Sequence, residues 1–349
     1  MKNKYEARLG TERMLPLVFK MALPAVAAQF VNLLYNIVDR IYIGHIPEIG
    51  TNALAGIGVT TSIVILISSF SAIVGAGGSP LAAIALGQGD RERAGKIVGN
   101  GFILLILFTI FTSLITYTFM EPILLFTGAS KYTLGYAVDY LSIYLLGTLF
   151  VEISTGLNAF INAQGRPSIA MCSVLIGALL NIVLDPIFIF WLDMGVKGAA
   201  LATILSQACS AIWVLSFLFS RRASLPLERR YMRLDRRIVL SMFALGISPF
   251  IMASTESLVG FVLNGHGDKQ RVKDCFRIVL IVMFSFNLIL MLFMILFPST
   301  VASAFTSDEE LIDTVRWVMP IFLAGMTIFG LQRACQNMFV ALGQAKISI

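Results

Sequence analysis

The chain has 349 residues, 57% of them hydrophobic and 13% charged, with a mean hydropathy of +0.85 and a formal net charge of +6. Soluble domains carry about 25% charged residues, so this composition excludes an ordinary soluble enzyme and describes a chain that crosses a membrane many times. The positive balance follows from basic loops rather than from a nucleic-acid surface, and no nucleic-acid partner is expected.

The opening MKNKYEARLGTER is charged, and the apolar run behind it is too long and too polar for a signal peptide, so it reads as a retained first span. Apolar runs longer than the roughly 20 residues that cross a bilayer as a helix place spans at 15–43, 53–86, 97–120, 133–162, 168–192 and 196–219. A basic stretch at 220–237 follows, then spans at 238–263, 275–305 and 311–341. Lipid offers no partner for backbone N–H and C=O groups, so these spans are helices. The expected fold is an all-α polytopic membrane protein. It has a six-helix lobe over 1–219, a cytoplasmic linker over 220–237 and an incomplete second lobe over 238–349.

Fifteen Lys and Arg residues fall in the loops on one side of this arrangement, among them Arg91, Arg93, Arg166 and the arginines from Arg221 to Arg237. Only Arg40, Lys131 and Lys197 fall on the other. The N-terminus is therefore expected in the cytoplasm. The rule breaks after the seventh span, where Lys269, Arg271, Lys273 and Arg277 would lie outside. An internal repeat explains the break. GQGDRERAGK (87–96) resembles GHGDKQRVKD (265–274) at an offset of 178, whereas Pro24 pairs with Pro249 at an offset of 225. The second copy is then shorter by 47 residues, about one span with its loops. The expectation is two pseudo-symmetric six-span halves from which the eighth and the last two spans are missing.

Chemistry is concentrated in polar residues within the spans. Gln29, Asn32, Asn36 and Asp39 fall within about 80° of arc at 100° per residue, which makes one stripe on the first span. Gly177, Asn181 and Asp185 recur at every fourth position of the fifth span. The fourth span offers Thr148, Glu152 and Thr155, and the sixth Thr203 and Gln207. A carboxylate at mid-membrane costs about 3 kcal/mol on insertion scales. Polar faces on four helices give it an inward, hydrated pocket.

Asp39 and Asp185 are the expected cation-coupling carboxylates, with Asn181 and Thr203 as neutral oxygen donors to H+ or Na+. Gln29, Asn32, Asn36, Glu152 and Asn158 are expected to line or support the cavity, as are Glu256, Gln332 and Gln336 in the second half. Pro24 and Pro186 each remove a helix hydrogen bond and permit a bend. Competing readings are a structural, cross-helix-bonded Asp185 and an interfacial Asp39–Arg40 pair. Four scattered cysteines and two loop histidines supply neither a metal site nor a nucleophile with its base, so no cofactor and no enzyme activity are expected.

In chain order, YNIVDRIYIGHI (35–46), ALGQGDRERAGKIVGN (85–100), NAQGRP (162–167), NIVLDPIFIF (181–190) and GVKGAALAT (195–203) resemble the multidrug and toxic compound extrusion (MATE) family, particularly its bacterial MepA-like branch. The resemblance implies a V-shaped pair of six-helix lobes in a bacterial cytoplasmic membrane. It also implies an antiporter that admits a cation and expels organic, often cationic, drugs. Small organic cations and membrane lipids are the implied partners, and a monomer is expected. The resemblance points to the same Asp39, Asn181, Asp185 and Thr203. Two alternatives stand beside it: a flippase of lipid-linked sugars, which would want a basic cavity, and a truncated, non-transporting remnant.

Overall fold

The computed structural model describes residues 14–220 and 222–265, with isolated positions between 277 and 316. Its helices are α1 (Met14–Gly44), α2 (Gly50–Gly87), α3 (Arg91–Thr118), the short α4 (Met120–Phe126), α5 (Leu134–Ala163), α6 (Pro167–Pro186), α7 (Gly195–Leu218) and α8 (Arg236–Gly265). Among the described residues every regular element is helical. The predicted spans at 275–305 and 311–341 and the repeat copy beyond Gly265 lie outside the described residues, apart from those isolated positions. The chain divides into two compact units, Met1–Ser254 and Thr255–Ile349, and the first holds everything that positions the site.

Five described helices are long and apolar enough to cross a membrane: α2, α3, α5, α7, and α6 with the turn that extends it to Trp191. At 1.5 Å per residue, the 31 residues of α1 and the 30 of α8 also exceed a hydrocarbon core of about 30 Å. The outward face of α3 presents Leu107, Ile110, Phe111 and Leu114. Tyr117, Tyr132 and Trp191 stand exposed at the end away from the basic loops, as interfacial aromatics do.

Helix α3 begins six residues before the predicted 97, because apolar length marks the lipid-facing stretch and not the cap. Asp90 caps it by accepting from the Arg93 N–H at 2.9 Å, and Gly89 turns the chain into it at φ 81°. The GQGD stretch is thus a turn and an N-cap, worth about 1 kcal/mol to the helix.

Glycines set the spacing of the bundle. A Cβ on Gly75 would meet Gly156 and Ala159 of α5, and one on Gly147 would overlap Ile204 of α7. Backbone meets backbone where α2 lies against α8: a Gly77 Cβ would overlap the Met242 carbonyl, and a Gly246 Cβ would stand 2.5 Å from that of Ile73. Helix α1 packs on α6, and α6 on α7.

The basic stretch expected to be a linker is fitted to the first unit. Gln164 Oε1 accepts from the backbone N–H groups of Ser224 and Leu225 at 2.8 and 3.1 Å, and Asn100 Oδ1 accepts from Asp235 N–H at 2.7 Å. Leu225 and Leu227 are buried in the core formed by α2, α3 and α5, and Tyr231 lies over Gly95 and Gly99. Each buried amide bond contributes about 1 kcal/mol, and losing a partner costs more. Combining Gln164→Leu with Asn100→Ala is expected to raise tryptic cleavage at the exposed Arg229, Arg230 and Arg233 about tenfold or more, read on gels of detergent-solubilised protein.

Candidate cation site between α1, α6 and α7

Four of the expected residues come together. Asp185 sits on the last turn of α6 with no exposed surface, and its carboxyl faces that of Asp39 on α1 at hydrogen-bond range. One turn earlier, Asn181 Nδ2 donates to Asp185 Oδ1 at 3.1 Å and reaches Thr203 Oγ1 of α7 at 3.5 Å. The Thr203 hydroxyl itself donates to the Ala199 carbonyl at 3.0 Å, which leaves its oxygen lone pairs facing the cluster side.

Local sequence explains this placement. The fourfold spacing of Gly177, Asn181 and Asp185 keeps one face of α6 towards α7, and Gly177 is tight enough there that a Cβ would meet Ser210 Oγ at 2.5 Å. Pro186 offers no N–H, and the chain passes directly into an i→i+5 turn closed by Leu192 N–H to the Ile187 carbonyl at 2.9 Å. By contrast, α1 continues through Pro24 without a break in its helix.

The oxygens of the cluster are under-bonded. No hydrogen-bond donor reaches Asp39 Oδ1, Asn181 Oδ1 or Asp185 Oδ2, although all three atoms are buried. Ionised carboxylates only accept hydrogen bonds, so two of them face to face are held by a shared proton or by a bound cation. The available donors are hard oxygens, which suit H+ or Na+ and not a soft metal. Two tyrosines that the sequence reading passed over complete the surroundings: Tyr35, one turn before Asp39, and Tyr140 of α5, beside Asp39 and Thr203. The signal for Tyr35 was available, since it lies four residues before Asp39, one turn along α1.

Tyr35 also forms the wall of a cavity of about 290 Å³ lined by Asn32, Ser154, Thr155, Asn158, Asn162, Ser173, Gly177, Gln207 and Ser210. Ser154 donates to Gln207 Oε1 at 2.7 Å and Asn158 Nδ2 to the Ala170 carbonyl at 3.1 Å, which ties α5 to α7 and α6. No Lys or Arg is among its lining residues. Asn36 spends its amide on the Asn32 carbonyl at 2.7 Å and is exposed. Glu152 is buried and is not among the residues that line this cavity. The side chains of Gln29 and Glu256, and all of Gln332 and Gln336, lie outside the described residues.

A family model described as MatE matches residues 24–187 and again 237–349. One model matching twice is what a chain of two related halves gives. The multidrug export protein MepA of Staphylococcus haemolyticus is 22% identical over 93% of this chain and 81% of its own length. Among solved structures, an inward-facing multidrug resistance MATE family transporter of the MOP superfamily superposes with a TM-score of 0.63 at 23% identity, over 90% of this chain and 82% of that one. A MOP superfamily transporter from Pyrococcus furiosus, described as having a binding pocket of reverse polarity, gives 0.67 at 20% identity, over 100% and 87%. Likeness at these identities establishes the fold.

Proposed function

The chain belongs to the MatE family, and on that premise we propose that it exports organic, often cationic, small molecules in exchange for an inward-moving cation, H+ or Na+, held by Asp39, Asn181, Asp185 and Thr203. Its relatives of that family are multidrug transporters rather than enzymes. The reading rests on one observation above the others: two buried carboxyls face each other, and three oxygens of their cluster lack any donor. Such a cluster gains from binding a cation and loses from standing empty. Substrate enters the neighbouring Asn- and Ser-lined cavity, whose wall residue Tyr35 also lies within electrostatic reach of both acids. Cation release and substrate binding can therefore be coupled through one side chain. An acidic site beside a cavity without Lys or Arg favours organic cations over the pyrophosphate of a lipid-linked sugar. The membrane is taken to be the bacterial cytoplasmic membrane, with the basic loops inside.

The test is efflux of a fluorescent organic cation from cells expressing the chain, with insertion checked by a surface label. Export should collapse when a protonophore dissipates the proton gradient, or when external Na+ is replaced by K+. Export equal to an empty-vector control, or indifferent to both gradients, contradicts the reading.

A further inference from the structure

Glu152 belongs to neither the acid pair nor the cavity. It is 1% exposed, and both Oε1 and Oε2 are buried without a hydrogen-bond partner. No other carboxyl among the described residues has both oxygens in that condition. Helices α2 and α5 run parallel, with Gly56 against Thr133 and Ala137 and Gly75 against Gly156 and Ala159. That register brings Glu152 level with the Ser68–Ser71 turn of α2. No residue of α2 is ionisable from Gly50 to Gly87.

Fixed positive charge is equally remote. On α3 the ionisable groups are Arg91, Glu92, Arg93 and Lys96 in its opening turns and exposed Tyr117 at its far end. Helix α7 contributes Lys197, paired with Asp139 at 3.3 Å, and Cys209, while α6 contributes Cys172 and Asp185, and α4 has Glu121. The ionisable neighbour whose surroundings Glu152 enters is Tyr144, two turns away on α5. A buried carboxylate is tolerated when donors, a fixed cation, a proton or a metal ion compensate it. No hydrogen-bond donor reaches its two oxygens, and no Lys or Arg lies at mid-span on the described helices packed against α5.

Hydroxyls stand on the facing turn of α2. Ser68 and Ser71 line, with Thr155 of α5, a cleft of about 470 Å³ between α2 and α5, and Glu152 is not among its lining residues. Ser71 donates its own proton to the Ser68 carbonyl at 2.7 Å and keeps its lone pairs. Tyr144 stacks on Tyr140 with ring centres 6.1 Å apart and planes 15° from parallel. Tyr140 lies within electrostatic reach of Asp39 and Tyr144 within that of Glu152, so the stacked pair is in reach of both acidic sites.

We propose that Glu152 is a second cation-binding site, distinct from the Asp39–Asp185 pair, at which one monovalent cation, a proton or Na+, neutralises the buried carboxylate whose two oxygens no described donor reaches. The assignment stands whether or not the chain exports drugs.

The experiment uses the full chain in lipid nanodiscs with Asp39→Asn and Asp185→Asn already in place, so that the first site is silent. Infrared difference spectra are recorded on an alkaline pH step and on exchange of K+ for Na+, with and without Glu152→Gln. The expected result is one carboxyl signal that Glu152→Gln removes. Loss of a protonated C=O stretch with rising pH identifies the cation as H+, and a carboxylate shift with Na+ but not K+ identifies it as Na+. Superimposable spectra with and without Glu152→Gln, in both titrations, overturn the proposal. Should Glu152→Gln fail to fold, Glu152→Asp serves instead: a displaced band supports the site and an unmoved one contradicts it. In the same background the thermal midpoint should depend on pH or Na+, and Glu152→Gln should flatten that dependence. A folded Glu152→Gln protein with the dependence intact counts against the site.

Discussion

Asp185→Asn is expected to reduce gradient-driven efflux by two orders of magnitude or more, a loss of about 2.7 kcal/mol at about 1.36 kcal/mol per tenfold. The substitution is nearly isosteric and can keep the contact with Asn181 Nδ2, now 3.1 Å from Asp185 Oδ1. What it removes is the charge that a coupling cation would neutralise. Asp39→Asn is expected to do the same from the other side of the pair, because its carboxyl faces that of Asp185 directly. The double variant should be no worse than either single one, since residues that act as a unit are not additive. Efflux rates normalised to inserted protein check all three. Additive losses, or a single variant at parental rate, would mean that the two carboxyls do not share one cation.

A large structural effect is expected of Gly77→Ala. A methyl group there would overlap the Met242 carbonyl and lie about 3 Å from the backbone of Gly246, so α2 and α8 must separate. Neither obstacle is the tip of a flexible side chain, and overpacking of this kind costs about 1–3 kcal/mol. A fall of several degrees in the thermal midpoint of detergent-solubilised protein is expected, together with a broadened size-exclusion peak. Gly135→Ala is the control. Gly135 is exposed on α5 with open space around its Cα, and alanine should leave stability equal or raise it slightly through helix propensity. Equal midpoints for the two variants would show that the close approach of α2 and α8 carries no stability.

The sequence made the helices legible because lipid demands long apolar runs, and α2, α5 and α7, and α6 counted with the turn that extends it to Trp191, begin and end within three residues of the expected positions. It misplaced the start of α3, where the Asp90 cap adds polar turns to an apolar core. The seven-residue α4 carried no separate signal, being too short to stand out from the apolar run before it. In the site, the fourfold spacing of Asn181 and Asp185 correctly put both on one face of α6, and pairing that face with Asp39 needed only the packing of α1 on α6. Tyr140 was not legible from spacing alone, since it approaches from a fourth helix. Glu152 was legible as a buried acid but not in its direction, because Thr155 on the same row lines the cavity and Glu152 does not. The arginines of 221–237 hid a second message. Two buried amides, Gln164 and Asn100, hold that stretch to the bundle, and neither looks remarkable in a loop-and-helix reading.

The measurement closest to the central claim is cation release on substrate binding. Purified full-length protein in weakly buffered solution would be titrated with a fluorescent organic cation while pH and Na+ electrodes record the medium. The account expects about one H+ or Na+ released per substrate bound by the parent chain, and none by a folded Asp185→Asn variant. Equal release from both would contradict the assignment of the α1–α6–α7 cluster as the coupling site.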